Sequence, residues 1–179
     1  MVIRIPPVGP AIPAELIAEL GRTPPATIGH KREHELVDVG LRPTSHRFSF
    51  RGSAVTVRGF GIGGVLTDRV EIEDLGFPIF GRGLSPVTTR GGGTTGELNV
   101  PVRCGGVMVN PGDIILADDD GILVLAPERV ASIVETFLPR VLREPEMHRQ
   151  MREGGVSLSE RSGAKKRIED TLRRQAEQG

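Results

Sequence analysis

The stretch Asn99–Ala126 reads NVPVRCGGVMVNPGDIILADDDGILVLA and carries the clearest structural signal in this chain of 179 residues. Short runs of valine, isoleucine and leucine alternate there with clusters of glycine, proline, asparagine and aspartate, which are typical of tight turns. The turn clusters fall at Gly105–Gly106, Asn110–Asp113 and Asp118–Gly121. Apolar runs of this length between such turns predict a β meander.

Helical patterns lie on both sides of the meander. Pro13–Gly21 has a proline in its first turn, an early acid and a glycine at its end, which predicts a short helix. Thr67–Gly76 has capping residues, early acids and a terminal glycine, and predicts a second short helix. From Val130 to Leu142 the apolar residues recur at helical spacing, and Pro139 is expected to kink that helix.

The last part of the chain is charged and poor in apolar residues, and Gly154–Gly155 divides it into two helical pieces. Two interpretations stay open for it. It is either an extension that packs on a neighbouring subunit or a solvated tail. We therefore predict one domain over residues 1–143 and a helical tail over residues 144–179.

Composition excludes several classes of partner. Lysine and arginine number 23, as do aspartate and glutamate, so the formal net charge is zero and no electrostatic footprint for a polyanion exists. The chain has no tryptophan, no tyrosine and six phenylalanines, too few to stack bases. It also lacks an apolar run of about 18 residues and a signal segment. We predict a cytoplasmic protein with no nucleic-acid partner and no membrane partner.

A glycine pattern follows the run Ser53–Arg58, whose alternating β-branched residues predict a strand. Gly59–Gly64 matches G-x-G-x-x-G, in which glycines let the backbone approach a pyrophosphate. A dinucleotide fold also needs a substantial helix next and an acid about 20 residues further on. A short helix and the uncharged run Phe77–Phe80 follow instead, so we predict no dinucleotide cofactor.

The segment His30–His34 fits H-x-x-E-H, in which two histidines one helical turn apart bind zinc and the glutamate acts as a base. Gly29 and Gly40 enclose the segment and leave little room for a helix, and no third ligand stands out downstream. We interpret it as a solvated charged turn.

Three further features receive a structural interpretation. Asp118–Gly121 lacks the alternating oxygen ligands of a calcium loop, because Leu116 occupies one of the required positions, and is interpreted as a hairpin turn. Arg90–Gly96 lacks the lysine and hydroxyl residue that end a phosphate-binding loop, and is interpreted as a flexible loop. Cys104, the single cysteine, has no evident base partner and is predicted to be a packed thiol.

Four segments occur in an order that is typical of one family: GVLTD at Gly64–Asp68, LGFPIFGRG at Leu75–Gly83, GELNVPV at Gly96–Val102 and VNPGDIILADDDG at Val109–Gly121. Together they resemble the RraA-like family, which includes 4-hydroxy-4-methyl-2-oxoglutarate aldolases and the regulator of ribonuclease E activity. The resemblance covers most of the chain, and Asn99–Gly121 is its most specific part.

The resemblance implies an α/β fold of the swivelling β/β/α type with a C-terminal helical extension. It also implies a homotrimer or a dimer of trimers with an active site between subunits. In the family's aldolases a divalent metal, usually Mg²⁺, binds an aspartate that follows an arginine, and the arginine holds a substrate carboxylate. A hard cation takes oxygen ligands and polarises a 2-oxo acid, which stabilises the enolate that forms on C–C cleavage.

The chain departs from this pattern in two places. Asp68 occupies the position of the metal ligand, but Thr67 stands where the family has arginine, and a hydroxyl cannot supply a bidentate charged clamp. Between Phe60 and Gly64, family members carry about 40–60 further residues, or one to two βα units. Either the domain is shortened, or a middle segment is missing from the sequence and the backbone is discontinuous at Gly61–Gly63.

These observations predict a divalent-metal-dependent lyase, of the aldolase or decarboxylase type, whose partner is a small 2-oxo acid substrate. Thr67 and Asp68 are the predicted catalytic residues, and Asp68 is the predicted ligand of a divalent metal, with Mg²⁺ expected. The alternative for Asp68 is that it only caps the helix that follows it. The alternative function is a non-catalytic, protein-binding regulator of the ribonuclease-inhibitor type.

Overall fold

The computed structural model describes residues 12–29, 35–43, 49–58, 65–86, 96–155 and 157–177, and the helices and strands named here lie in those ranges. The helices are α1 (Ala14–Leu20), α2 (Pro25–Gly29), α3 (Arg69–Asp74), α4 (Val130–Arg152), α5 (Leu158–Arg161) and α6 (Ala164–Ala176). A short 3₁₀ helix over Pro127–Arg129 precedes α4. The first seven strands are β1 (Arg42–Pro43), β2 (Phe50–Ser53), β3 (Val57–Arg58), β4 (Val65–Leu66), β5 (Phe80–Gly81), β6 (Gly83–Leu84) and β7 (Glu97–Leu98). The last four are β8 (Val102–Cys104), β9 (Val107–Val109), β10 (Ile114–Asp118) and β11 (Gly121–Leu125).

The predicted meander is confirmed, and the predicted α/β class is confirmed with it. Strands β8 and β9 form one antiparallel hairpin, and β10 and β11 form a second one that is paired from Ile114↔Leu125 to Asp118↔Gly121. Strand β2 lies antiparallel on the other side of β10, which makes a three-stranded sheet in the order β11-β10-β2.

The turn between the two hairpins is fixed by its polar residues. The Asp113 carboxylate accepts a hydrogen bond from the backbone N–H of Asn110 at 2.7 Å, and Gly112 has a φ of 89°, which favours glycine. The Ala54 backbone then pairs with this turn, because Gly112 N–H donates to its carbonyl and its own N–H donates to the Asp113 carbonyl. The turn therefore ties the end of β2 to the start of β10.

The main core lies on one face of the three-stranded sheet. Alternate residues of β10 and β11 pack there against α1, α2 and the first turns of α4. Each aliphatic side chain of this size stabilises the fold by about 1.5–3 kcal/mol when it is fully buried. The buried members of this cluster are Leu20, Ile28, Ile114, Leu116, Leu123, Leu125, Val130, Ile133, Val134 and Phe137.

A smaller cluster covers the opposite face of the same hairpin. Val124 packs there with Val37, Ala54 and Val109, and the partly buried Ile122 adds to it. Because both faces of β10 and β11 are covered, their sequences are continuous apolar runs and do not alternate with polar residues.

The strand predicted after the first helices needs correction. The run Ser53–Arg58 is not one strand: β2 ends at Ser53 and β3 begins at Val57, because the residues between them pair elsewhere. Ala54 pairs with the turn before β10, and the Thr56 carbonyl accepts the backbone N–H of Asn99. The chain changes partner at this point, from β10 to β7.

Helices α1 and α3 lie where the sequence predicted them, and α4 extends further than predicted. It runs through both Pro139 and Pro145 and ends at Arg152, just before the predicted break at Gly154–Gly155. The structure divides into two compact units, Met1–Leu138 and Pro139–Gly179. None of the helices in the described part of the chain is long and apolar enough to cross a membrane.

Candidate functional site

The candidate site lies where two parallel strands end. Strands β4 and β6 pair in parallel, with Val65 opposite Gly83 and Leu66 opposite Leu84. The connection between them contains α3, since parallel strands need a crossover. Thr67 and Asp68 follow β4 at its carboxyl end, and Ser85 follows β6 at the same edge. In open α/β sheets ligands bind outside the carboxyl ends of the strands.

Asp68 has an unusual backbone conformation at this edge. Its φ of 55° and ψ of 38° put it in the left-handed region, although it is the residue before the first turn of α3. A capping residue normally has extended dihedrals and a side chain bonded to the helix N–H groups. The Asp68 side chain makes no such bond, and only its carbonyl accepts the N–H of Ile72, at 3.1 Å. The structure therefore does not support the alternative that the Asp68 carboxylate caps α3.

Thr67 orients the carboxylate of its neighbour. The Thr67 Oγ1 hydroxyl donates a hydrogen bond to Oδ2 of Asp68 at 3.0 Å. Thr67 is half-buried and Asp68 is exposed. The hydroxyl of a partly packed residue therefore holds a carboxylate that faces solvent. The structure places the two predicted site residues in direct contact.

The donors at this edge fit a hard cation better than a soft one. They are a carboxylate and hydroxyl oxygens, which suit Mg²⁺, and Mg²⁺ keeps several waters and often takes one or two protein carboxylates. Zinc sites need three or four protein ligands. Among the residues that the structure describes, no group of three or more histidine, cysteine, aspartate or glutamate side chains could hold a metal. Within α3, Glu73 forms an ion pair with Arg69 at 2.7 Å.

The Asp118–Gly121 segment forms the turn of the β10–β11 hairpin, as the sequence predicted. The Asp118 carboxylate accepts the backbone N–H of Asp120 at 2.9 Å, which is typical of a turn. Burial raises the pKa of the Asp118 carboxyl above its ordinary value, and the charges of Asp120 and Asp119 raise it further. Hydrogen bonds from the Asp120 and Gly121 backbones partly offset this rise.

The prediction of a packed thiol at Cys104 is wrong. Cys104 is exposed at the end of β8, opposite Val107 and just before the turn Gly105–Gly106. The next residue, Gly105, has a φ of 51°, and its missing Cβ makes room for the side chains of Val37 and Leu41. These two side chains pack on the turn, and the thiol stays in solvent.

Three motifs lie outside the described residues, wholly or in large part. They are the zinc-like pattern His30–His34, the glycine pattern Gly59–Gly64, with the break expected at Gly61–Gly63, and the loop Arg90–Gly96, of which only Gly96 is described.

Sequence reasoning missed a cavity and an ion pair in the first unit. The cavity has a volume of about 350 Å³ and lies between the segment Leu36–Pro43 and the turn residues Asp119 and Asp120. The ion pair joins Arg129 to the buried Glu35. The segment 35–43 packs on β11, where the Val37 N–H donates a hydrogen bond to the Ile122 carbonyl at 3.0 Å. Its apolar residues do not recur at helix or strand spacing, so only their presence could have indicated this packing.

Comparison with known proteins agrees with the order of segments in the sequence. Residues 56–124 match the model of the RraA-like family, described as Aldolase/RraA. This stretch of the chain is similar to the RraA-like family. The stretch includes the site at Thr67 and Asp68 and all of the meander as far as Val124.

Curated relatives align with less than half of the chain. An uncharacterized protein of Methanocaldococcus jannaschii is 40% identical over 79 residues, which are 44% of this chain and 38% of that protein. A candidate 4-hydroxy-4-methyl-2-oxoglutarate aldolase of Halalkalibacterium halodurans is 35% identical over 79 residues, 44% of this chain and 37% of the relative. The matched part thus spans less than half the length of these relatives.

Solved structures share the fold. RraAS2 of Streptomyces coelicolor, described as an unusual member of the RNase ES inhibitor RraA protein family, superposes with a TM-score of 0.64 at 20% identity. That superposition covers 78% of this chain and 98% of RraAS2. An uncharacterized protein of Pseudomonas syringae pv. tomato superposes with a TM-score of 0.65 at 15% identity, over 85% of this chain and 98% of that one. The fold is therefore that of RraA-like proteins, with a C-terminal helix.

Proposed function

We propose that the RraA-like part of this chain is a divalent-metal-dependent lyase, of the aldolase or decarboxylase type, for a small 2-oxo acid. The observation that carries the proposal is the Asp68 carboxylate: it stands exposed at the carboxyl end of β4 and makes no capping bond to α3. Holding a non-glycine residue in the left-handed region costs about 1–3 kcal/mol, and such strain is concentrated at functional sites. The name of the Halalkalibacterium relative supports the same chemistry.

Each residue has a separate part in the proposed mechanism. Asp68 would hold the cation through a carboxylate oxygen, and Thr67 would fix the carboxylate rotamer through its 3.0 Å hydrogen bond. When bound, Mg²⁺ supplies the positive charge that polarises the 2-oxo group of the substrate and makes C–C cleavage easier. Thr67 carries no charge, so substrates that rely on a second carboxylate held by a cation at this position are expected to bind weakly.

Assembly belongs to the same proposal. We propose a homotrimer or a dimer of trimers, formed by a domain over residues 1–143 with the tail 144–179 as its helical extension. Light scattering at micromolar concentration measures the mass of the assembly directly. A trimer or hexamer mass supports this part of the proposal, and a monomer mass contradicts it.

The test of the activity is pyruvate release from 4-hydroxy-4-methyl-2-oxoglutarate and from oxaloacetate, with Mg²⁺ and with a chelator. We expect Mg²⁺-dependent release by the wild type and a loss of at least about tenfold in Asp68→Asn. Asparagine tolerates the left-handed region, so the backbone is preserved while the metal ligand is weakened. Asp170→Asn removes an exposed aspartate of α6 and serves as the matched control. Full metal-dependent activity in Asp68→Asn would contradict the assignment.

A non-catalytic regulator remains the second candidate, and one observation favours it. After α3 the large apolar side chains of Leu75 and Phe77 are 81% and 62% exposed, and exposed apolar patches often mark protein interaction sites. The likeness to RraAS2 points to a ribonuclease as the type of partner. If the wild type cleaves neither substrate and slows RNA cleavage by such a ribonuclease, while Phe77→Ser does not, the regulator is the correct function.

A further inference from the structure

We propose that Ser85 is a positioning residue for the cation on Asp68, and that its hydroxyl works together with the Thr67 hydroxyl to hold the water molecules of that cation. The inference rests on the proposed metal site. The juxtaposition of Thr67 and Ser85 at the end of the parallel pair β4·β6 carries the inference.

The strand register places Ser85 beside Thr67. Leu66 and Leu84 are the last paired residues of the two parallel strands, and Thr67 and Ser85 follow them directly. Neighbouring strands lie about 5 Å apart, which is within reach of a shared water molecule. Thr67 and Ser85 are therefore the first residues beyond the ladder at this edge.

Burial supports the same placement. Thr67 and Ser85 are both half-buried, whereas Asp68 and Pro86, one position further on, are both exposed. The residue that follows each paired strand is thus shielded from solvent to a similar degree, and the residue after it is open to solvent. Pro86 also restricts the residue before it to extended conformations, which limits where the Ser85 hydroxyl can go.

The hydration of Mg²⁺ explains how these hydroxyls could support a bound cation. The described residues offer no cluster of three or more metal-binding side chains, so a cation on Asp68 would keep most of its water molecules. Bound water molecules donate hydrogen bonds, and neutral hydroxyl oxygens can accept them. Groups that hydrogen-bond the ligands of a metal typically change its affinity by 10–100-fold.

The experiment measures Mn²⁺ affinity by electron paramagnetic resonance of the free ion, with Mn²⁺ as the probe because it shares the oxygen preference of Mg²⁺. Ser85→Thr and Ser85→Val form a matched pair, because threonine and valine have the same shape and differ in the hydroxyl. We expect Ser85→Thr to bind Mn²⁺ within about twofold of the wild type and Ser85→Val to bind about tenfold more weakly. Ser132→Ala removes an exposed hydroxyl of α4 and should change nothing.

The outcomes separate the two proposals. Equal Mn²⁺ affinity in Ser85→Thr and Ser85→Val, in a wild type that binds the ion, overturns the role of Ser85 and leaves the metal site standing. A wild type that binds no Mn²⁺ overturns the metal site and the role of Ser85 with it. Far-ultraviolet circular dichroism confirms that both variants fold, and if Ser85→Val does not, Ser85→Ala takes its place in the comparison.

Discussion

The β10–β11 hairpin and the β4–α3–β6 segment belong to the same compact unit and are built in opposite ways. The hairpin is paired over five positions, and its side chains are covered on both faces. The α3 helix buries none of its residues, and the strands beside it are two residues long. We therefore expect the hairpin to contribute more to the free energy of unfolding than the β4–α3–β6 segment, which is lightly packed around the exposed Asp68 carboxylate.

The largest expected effect tests whether the hairpin contributes more to stability than the β4–α3–β6 segment. Leu123 is completely buried in β11 and Leu75 is 81% exposed after α3. Leu123→Ala should lower the free energy of unfolding by about 3 kcal/mol, because it removes buried surface and leaves a cavity. Leu75→Ala should change it by less than about 0.5 kcal/mol. Denaturant unfolding measures both, and similar losses in the two variants would show that the segments do not differ as stated.

A second variant tests how the hairpin is joined to the segment before β1. Arg129 stands at the end of the hairpin and pairs with the buried Glu35. Arg129→Leu should cost about 2 kcal/mol, less than a fully buried pair because the arginine is partly exposed. The double variant Arg129→Leu with Glu35→Leu should recover part of that loss. If the double variant is less stable than Arg129→Leu alone, the Glu35 carboxylate stabilises the fold through contacts other than Arg129.

Backbone strain at Asp68 can be compared with that at a second left-handed residue outside the β4–α3–β6 segment. Asn99, which leads into the meander, has a φ of 51°, close to the 55° of Asp68. At each position the glycine variant should be more stable than the alanine variant by about 1 kcal/mol, because alanine resists the left-handed region. Thermal unfolding of the four variants checks this. Equal stability of the alanine and glycine variants at position 68 would show that the left-handed backbone of Asp68 is not strained.

The smallest effect concerns pH and the hairpin turn. Burial raises the pKa of Asp118 above its ordinary value of 3.8, so protonation of this carboxyl favours the folded state. The stabilisation that protonated Asp118 gives the folded state is fully present below pH 3.8 and is lost as pH rises through the raised pKa. Asp118→Asn, which keeps the oxygen that accepts the Asp120 N–H, should therefore gain stability over the wild type at pH 7 and not at pH 3. An equal difference at both pH values would contradict the raised pKa.

The sequence predicted best where local signals and burial agree. The meander combines apolar runs with turn residues such as Asp113, and each of its predicted hairpins is present. The end of β2 was missed because the pairing partners of Ala54 and Thr56 lie more than 40 residues away, beyond the reach of a local pattern. The exposure of Cys104 was also missed, because the sequence pattern of a three-residue strand does not show which of its side chains the rest of the fold covers.

The site was predictable in part. Resemblance to a family pointed to Asp68 and Thr67, and no periodicity could have done so. The left-handed backbone of Asp68 has no sequence signal of its own, and the place of Ser85 beside Thr67 depends on the parallel register of β4 and β6. Strands of two residues carry almost no sequence signal, so this register becomes visible only in the folded structure.

The most direct test of the central claim is the affinity of the full chain for Mn²⁺, compared between the wild type and Asp68→Asn. Electron paramagnetic resonance counts the free ion in each titration, and Asp170→Asn controls for the loss of one charge. We expect the wild type and Asp170→Asn to bind one ion per chain with the same affinity, and Asp68→Asn to bind it at least about tenfold more weakly. Equal affinity in all three proteins, or no binding by the wild type, would contradict the central claim.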